Sequence, residues 1–183
     1  MSIKYKTKWF IFLFLFQLIF FKIKAKEIII HNNDENFLNI DKILSHQDDK
    51  NVTVKFVDNY YDMSLQGYSM MFTITYNLNI MGNENGTIFD YNNQYKGLWK
   101  FSMAVNGLSL KIQNIIYENL STNDVDYKGK QILYFDLRAS NFQLMLNNCI
   151  FRNNKYSLIE LDVFFENKVF SNKPKLHIKN CKF

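Results

Sequence analysis

Two cysteines, three histidines and two arginines are the scarce chemical groups of this chain. His31, His46 and His177 are scattered, and no two share the spacing from which metal sites are built. Asp136 and Asp162 offer another chemistry: two carboxylates brought side by side can hold calcium or share one proton. The stronger reading is a pair of ordinary surface charges, because the stretch between them sets no register. Cys149 and Cys181 each follow an asparagine. On neighbouring strands they would lie within disulfide range; as two small buried residues they would fill the same slot. There is no Ser-His-Asp pattern, phosphate loop or basic stripe. No catalytic set, metal set or cofactor is expected, and no nucleic-acid partner.

The formal charge of +5 and a pI near 9.0 invite a nucleic-acid reading, but the excess is local. Lys4, Lys6, Lys8, Lys22 and Lys24 all lie between Met1 and Ala25, a stretch that carries no Asp or Glu. Without them, 22 − 5 = 17 basic residues face 17 acidic ones. That segment, MSIKYKTKWFIFLFLFQLIFFKIKA, has a basic start, an apolar run from Trp9 to Phe21 and a small residue at Ala25. It reads as a secretory signal peptide over residues 1–25, so the mature chain is expected to begin at Lys26. The run is short for a membrane span of about 20 residues. Lys22 and Lys24, so near the cut, keep open the alternative of a membrane anchor through residues 9–21. Secretion permits glycosylation at the sequons Asn51-Val-Thr, Asn85-Gly-Thr and Asn119-Leu-Ser, although a chain this rich in Asn makes sequons by chance. Two cysteines exclude a disulfide-framework miniprotein.

The elements that must position these residues follow from periodicity. Phe37, Ile40 and Leu44 recur at helical spacing behind a candidate N-cap at Asn33 or Asp34, which predicts a short helix over Glu35–Ser45. From Val52 onward VTVKF, MFTITYNLNI and LSLKIQN alternate at period two. Pro174, the only proline, precedes Leu176 at a strand start, where a missing N–H is tolerated. The expected organisation is a cap segment with its helix over residues 26–51, then strands over 52–183.

One phrase repeats. LKIQNIIYEN starts at Leu110, LMLNNCIFRN at Leu144 and LHIKNCKF at Leu176. The aligned asparagines are Asn114, Asn148 and Asn180, one step of 148 − 114 = 34 and a second of 180 − 148 = 32. Short strands repeated about every 33 residues, without crossover helices, suit a solenoid whose coils stack by parallel ladders. Asn tolerates the left-handed backbone of a sharp corner, and stacked asparagines can satisfy one another's buried amides. A β-sandwich would instead show turn signals about every 8–12 residues.

The phrase, together with YNLNIMGNENGTIFDYNN from Tyr76 to Asn93, resembles the right-handed parallel β-helix family with the pectin lyase-like fold, over about Val52 to Phe183. The resemblance implies an all-β, right-handed solenoid with a short N-terminal capping helix. It also implies a search for that family's lyase and hydrolase motifs. Of these only QDDK, with Asp48 and Asp49, matches a hydrolase pair, and it lies before the coils, where a solvated turn is the stronger reading. The lyases' carboxylate cluster and basic residue find only Asp136, Asp162, Arg138 and Arg152. The expected function is therefore a secreted or cell-surface, non-catalytic binding or structural module for glycans or protein partners. The alternative is a carbohydrate-active enzyme, a polysaccharide lyase or glycoside hydrolase. The aromatics read more readily as core stack than as sugar platform, and Tyr60, Tyr61 and Tyr68 are the ones to test for exposure. The last strand is expected to leave an open edge that pairs with further chain, Lys173, Lys175, Lys179 and Lys182 discouraging mispairing.

Overall fold

A computed structural model describes residues 25–45, 47–121, 131–164 and 175–183. The expected signal segment up to Lys24, His46, Lys173 and Pro174 lie outside the described residues. The strands are β1 (Lys26–Ile30), β2 (Asn51–Phe56), β3 (Tyr60–Asp62), β4 (Ser69–Thr73), β5 (Asn77–Met81), β6 (Thr87–Asp90) and β7 (Leu98–Met103). They continue as β8 (Leu108–Gln113), β9 (Ile115–Glu118), β10 (Leu133–Leu137), β11 (Phe142–Asn147), β12 (Ile150–Arg152), β13 (Ile159–Val163) and β14 (Leu176–Lys179). Sheet A orders them β1-β2-β5-β8-β11-β14, sheet B β3-β6-β9-β12, and sheet C β4-β7-β10-β13. Every pairing is parallel. The chain visits A, B and C in turn, which makes a parallel β-solenoid of about five turns.

Period-two alternation builds the core. In β2 and β11 every second residue is buried, and in-register pairing puts like on like. Leu78, Leu110, Leu144 and Leu176 form one inward row of sheet A. Rings stack in the same way: Phe72, Phe101 and Phe135 lie 5.1 and 5.4 Å apart with interplanar angles of 27° and 13°. On sheet B the row is Tyr61, Phe89, Tyr117 and Phe151, continued by Phe183 outside the sheet; the contacts of Phe89 with both tyrosines are edge-on and the last two are stacked.

The expected single helix is two: α1 (Glu35–Leu38) and α2 (Ile40–Ser45). Asn39 leaves helical geometry at φ −113° and ψ 25° and caps the first. Asp34 is the N-cap, its side chain accepting from Phe37 N. Phe37, Ile40 and Leu44 are buried, as their spacing demands. The helices occupy the first turn, where neither sheet B nor sheet C has a strand. Two long-range bonds fasten them: Gln66 Nε2 donates to Phe37 O at 2.8 Å and Tyr76 Oη to Leu44 O at 2.6 Å.

Buried phenols give this fold an alkaline limit. Burial pushes Tyr61 and Tyr76 up to about 12, and it raises the wholly buried Tyr91 and Tyr117 as well. In the unfolded chain they ionise near about pH 10. A raised folded value means that the unfolded state loses protons first as pH rises. The contribution is therefore complete below about pH 10 and is lost as pH rises through about 12. Denaturant midpoints are expected to fall across that window; a midpoint that stays flat to about pH 11.5 contradicts the assignment.

Candidate functional site

The corner between sheets A and B is set by one residue per turn. Asn114, Asn148 and Asn180 have φ of 59°, 53° and 54°, the left-handed region that Asn tolerates best after Gly. Asn148 Nδ2 donates to Asn114 Oδ1 at 3.2 Å. The amides are not buried as the sequence suggests: Asn148 is exposed and Asn114 half-buried. Water can therefore replace the side-chain bond, and the backbone angle is the stronger demand. Asn148→Ala is expected to cost about 1 kcal/mol and Asn148→Gly only a few tenths. Equal losses in thermal unfolding would show that the side-chain bond dominates instead. Asn154, by contrast, is tied to the backbone, accepting from Leu120 N at 2.8 Å and donating to Tyr117 O at 3.0 Å.

Sheet B carries a row that sequence reasoning missed. Asp62, Asp90, Glu118 and Arg152 are register partners along β3, β6, β9 and β12. Each carboxylate is engaged by its own turn or neighbour. Asp62 accepts from Ser64 N at 3.0 Å and from its hydroxyl at 2.5 Å. Asp90 accepts from Asn92 N at 2.8 Å, Asn119 Nδ2 at 3.0 Å and Tyr60 Oη at 3.2 Å. Glu118 pairs with Arg152 at 2.5 Å. The findable signal is an acid directly after each inward aromatic, in Tyr61-Asp62, Phe89-Asp90 and Tyr117-Glu118.

Sheet C has the most site-like outer face. An open groove of about 360 Å³ crosses β4, β7 and β10, lined by Met71, Lys100, Tyr134, Asp136 and Arg138 among others. The parallel register sets Asp136 directly beside Asp162, so the two carboxylates are neighbours after all. They are not a free pair. Arg138 Nε donates to both oxygens of Asp136 at 3.0 and 3.1 Å. The Tyr134 hydroxyl donates to Asp162, and that bond first of all pushes the phenol up to about 12. Lys100 Nζ lies 5.8 Å from the Tyr134 ring centroid. Glu160 partners Tyr134 in register, so three carboxylates share this face. Among the described residues no group of three His, Cys, Asp or Glu converges as a metal-binding set.

The remaining candidates are dispersed. His31 lies 3.5 Å from Asp58, and His177 stands exposed on β14. Asp48 and Asp49 are exposed in the loop before β2, Asp49 3.7 Å from Lys26. Tyr60 and Tyr68 are 39% and 60% exposed, but Tyr61 is 0% exposed. Strand alternation in β3 turns Tyr61 inward, and its hydroxyl donates to Ile30 O at 2.5 Å. Asn85 is exposed at a turn, whereas Asn51 and Asn119 are half-buried. Asn51 Oδ1 accepts from Asn77 Nδ2 at 2.9 Å. Cys149 is buried, Cys181 partly exposed, and both are free thiols. Among the described residues no helix is long and apolar enough to cross a membrane. Comparison with protein-family models, curated proteins and solved structures returns no match.

Proposed function

We propose that this chain is a secreted or cell-surface, right-handed parallel β-helix of pectin lyase-like fold that binds glycans along sheet C without cleaving them. The observation that carries the reading is the groove over β4, β7 and β10. It offers a ring and a methionine, Tyr134 and Met71, beside fixed charges at Lys100, Asp136 and Arg138. A sugar chain has apolar C–H faces and hydroxyl edges, and such a surface complements both. Along β4, β7 and β10 the row Met71, Lys100 and Tyr134 steps at about 4.8 Å. Two of the three carboxylates of the face, Asp136 and Asp162, are held by Arg138 and Tyr134, which leaves Glu160, whereas glycoside hydrolysis needs one carboxyl free to give a proton and another free to attack or activate water.

The chain from residue 26 onward is tested on a glycan array, with the bound sugars then incubated and analysed for products. Binding without products is expected, and Tyr134→Ala should weaken it about tenfold. Product release would favour the enzyme alternative, with Asp136 and Asp162 as its carboxylates; a silent array sinks the glycan reading. In the same proposal α1 and α2 act as the N-terminal cap, and the edge at β14 pairs with further chain. Leu176, Ile178 and Phe183 are exposed there. Size measured against concentration checks the edge, and a concentration-independent monomer with a cooperative melt counts against it.

A further inference from the structure

The geometry points to a covalent staple between Cys149 and Cys181 that locks the last turn of the solenoid onto the one before. The register on both sides of the pair agrees. Asn147 partners Lys179 and Ile150 partners Lys182, with one offset for both (179 − 147 = 182 − 150 = 32). The same offset carries Cys149 onto Cys181 (149 + 32 = 181). Lys182 N donates to Cys149 O at 3.0 Å and Asn148 N to Lys179 O at 3.0 Å, so backbone bonds clamp the two cysteines from either side. Neighbouring parallel strands stand about 4.8 Å apart, inside the range of about 4.4–6.8 Å that disulfides span between Cα atoms. Both cysteines follow a corner asparagine of the same hand, Asn148 at φ 53° and Asn180 at φ 54°, so their Cβ atoms leave the backbone in the same sense. The thiols have no stronger commitment: Cys149 Sγ meets Asn147 O at 3.6 Å and Ile112 O at 3.7 Å, and Cys181 Sγ meets Lys179 O at 3.4 Å.

The two thiols are unequal, which orders the chemistry. Burial pushes the Cys149 thiol up to about 12, so it is a poor first nucleophile. Cys181 is the accessible one. Its thiolate attacks a small-molecule disulfide such as glutathione disulfide, forming a mixed disulfide and releasing one glutathione thiolate. Cys149 then gives its proton to solvent, its sulfur attacks the Cys181 sulfur, and the second glutathione leaves. Two protein thiols are oxidised, one glutathione disulfide is reduced, and two glutathione thiols form.

The purified chain is equilibrated in glutathione buffers of graded ratio, unfolded, alkylated and weighed, and the linked peptides are identified. Both cysteines are expected to lose alkylation together, giving one intramolecular link. Reduction should lower the melting temperature by about 10 °C, and the double variant Cys149→Ala/Cys181→Ala should not respond to reductant. Cys149→Ser should leave Cys181 forming glutathione adducts or linked dimers. Two alkylatable thiols throughout, or glutathione on Cys181 alone in the unsubstituted chain, would overturn the proposal, as would a link that leaves melting unchanged. None of these outcomes depends on what sheet C binds.

Discussion

Gly82→Ala is expected to destabilise this protein by more than about 4 kcal/mol, in the rare tail of single-site effects. A Cβ at Gly82 would lie 2.1 Å from Asn114 O, 2.8 Å from Thr87 Cβ and 2.9 Å from Thr87 Oγ1. The first contact is with backbone and cannot rotate away. It is also structural, since Asn114 O accepts from Thr87 N at 2.9 Å while Gly82 N donates to Gln113 O at 2.9 Å. Thr87 is fully buried and donates to Asp58 O at 3.1 Å. One methyl group therefore pries two turns apart. Gly107 provides the comparison: its φ is +83°, but nothing lies within 4 Å, so Gly107→Ala should cost about 1 kcal/mol from backbone strain alone. Denaturant melts of the two variants, with Gly67→Ala as an open-space control, rank the costs. Similar midpoints for Gly82→Ala and Gly107→Ala would refute the close approach.

Phe89→Ala should cost about 3–5 kcal/mol. The ring is wholly buried and touches four others: Phe56 at 4.8 Å, Trp99 at 5.5 Å, and Tyr61 and Tyr117 each at 5.8 Å. Removing it opens a cavity between rigid rings on both sides, which cannot collapse as a flexible aliphatic core does. Phe183 lies in the same row yet is 67% exposed, and among the described residues it stacks on Phe151 alone, at 5.2 Å and 3°. Phe183→Ala should therefore cost less than about 1 kcal/mol. Urea midpoints measure both; equal losses would mean that ring identity matters and position does not.

How legible each feature is in the sequence depends on spacing. The phrase around Asn114, Asn148 and Asn180 is readable because nearly equal steps return the chain to nearly identical corners. The earlier turns are hidden because the step from Val52 to its partner Leu78 is shorter, and Gly82 takes the place that Asn114 holds one turn later. In the row of Asp62, Asp90, Glu118 and Arg152 the last step is longer than the two before it, so no fixed period exposes it. Asp136 and Asp162 stand out by residue type, yet the span between them is shorter than the repeated phrase's step and leaves their register open. Pairing of β10 with β13 decides it. Tyr60 and Tyr61 cannot be told apart by residue type, because a one-residue shift along a strand exchanges inside for outside and only the register of β3 decides which is buried.

The narrow range of these steps governs how the chain finds its fold. Along sheet A the shortest steps, equal in length, join Lys26 to Val52 and Val52 to Leu78, and the longest joins Leu110 to Leu144. Loop entropy grows only with the logarithm of length, so closing any one turn costs nearly the same, within about 0.2 kcal/mol. No turn is favoured by topology, and nucleation passes to whichever holds the most cohesive side chains. That is the pair of turns around Phe56, Phe89 and Trp99, where the rings converge. Further turns then add one at a time against a finished template, each interacting only with its predecessor. Equilibrium unfolding of such a linear array runs in reverse, with hydrogen exchange expected to be slowest at the amides of β5, β6 and β7.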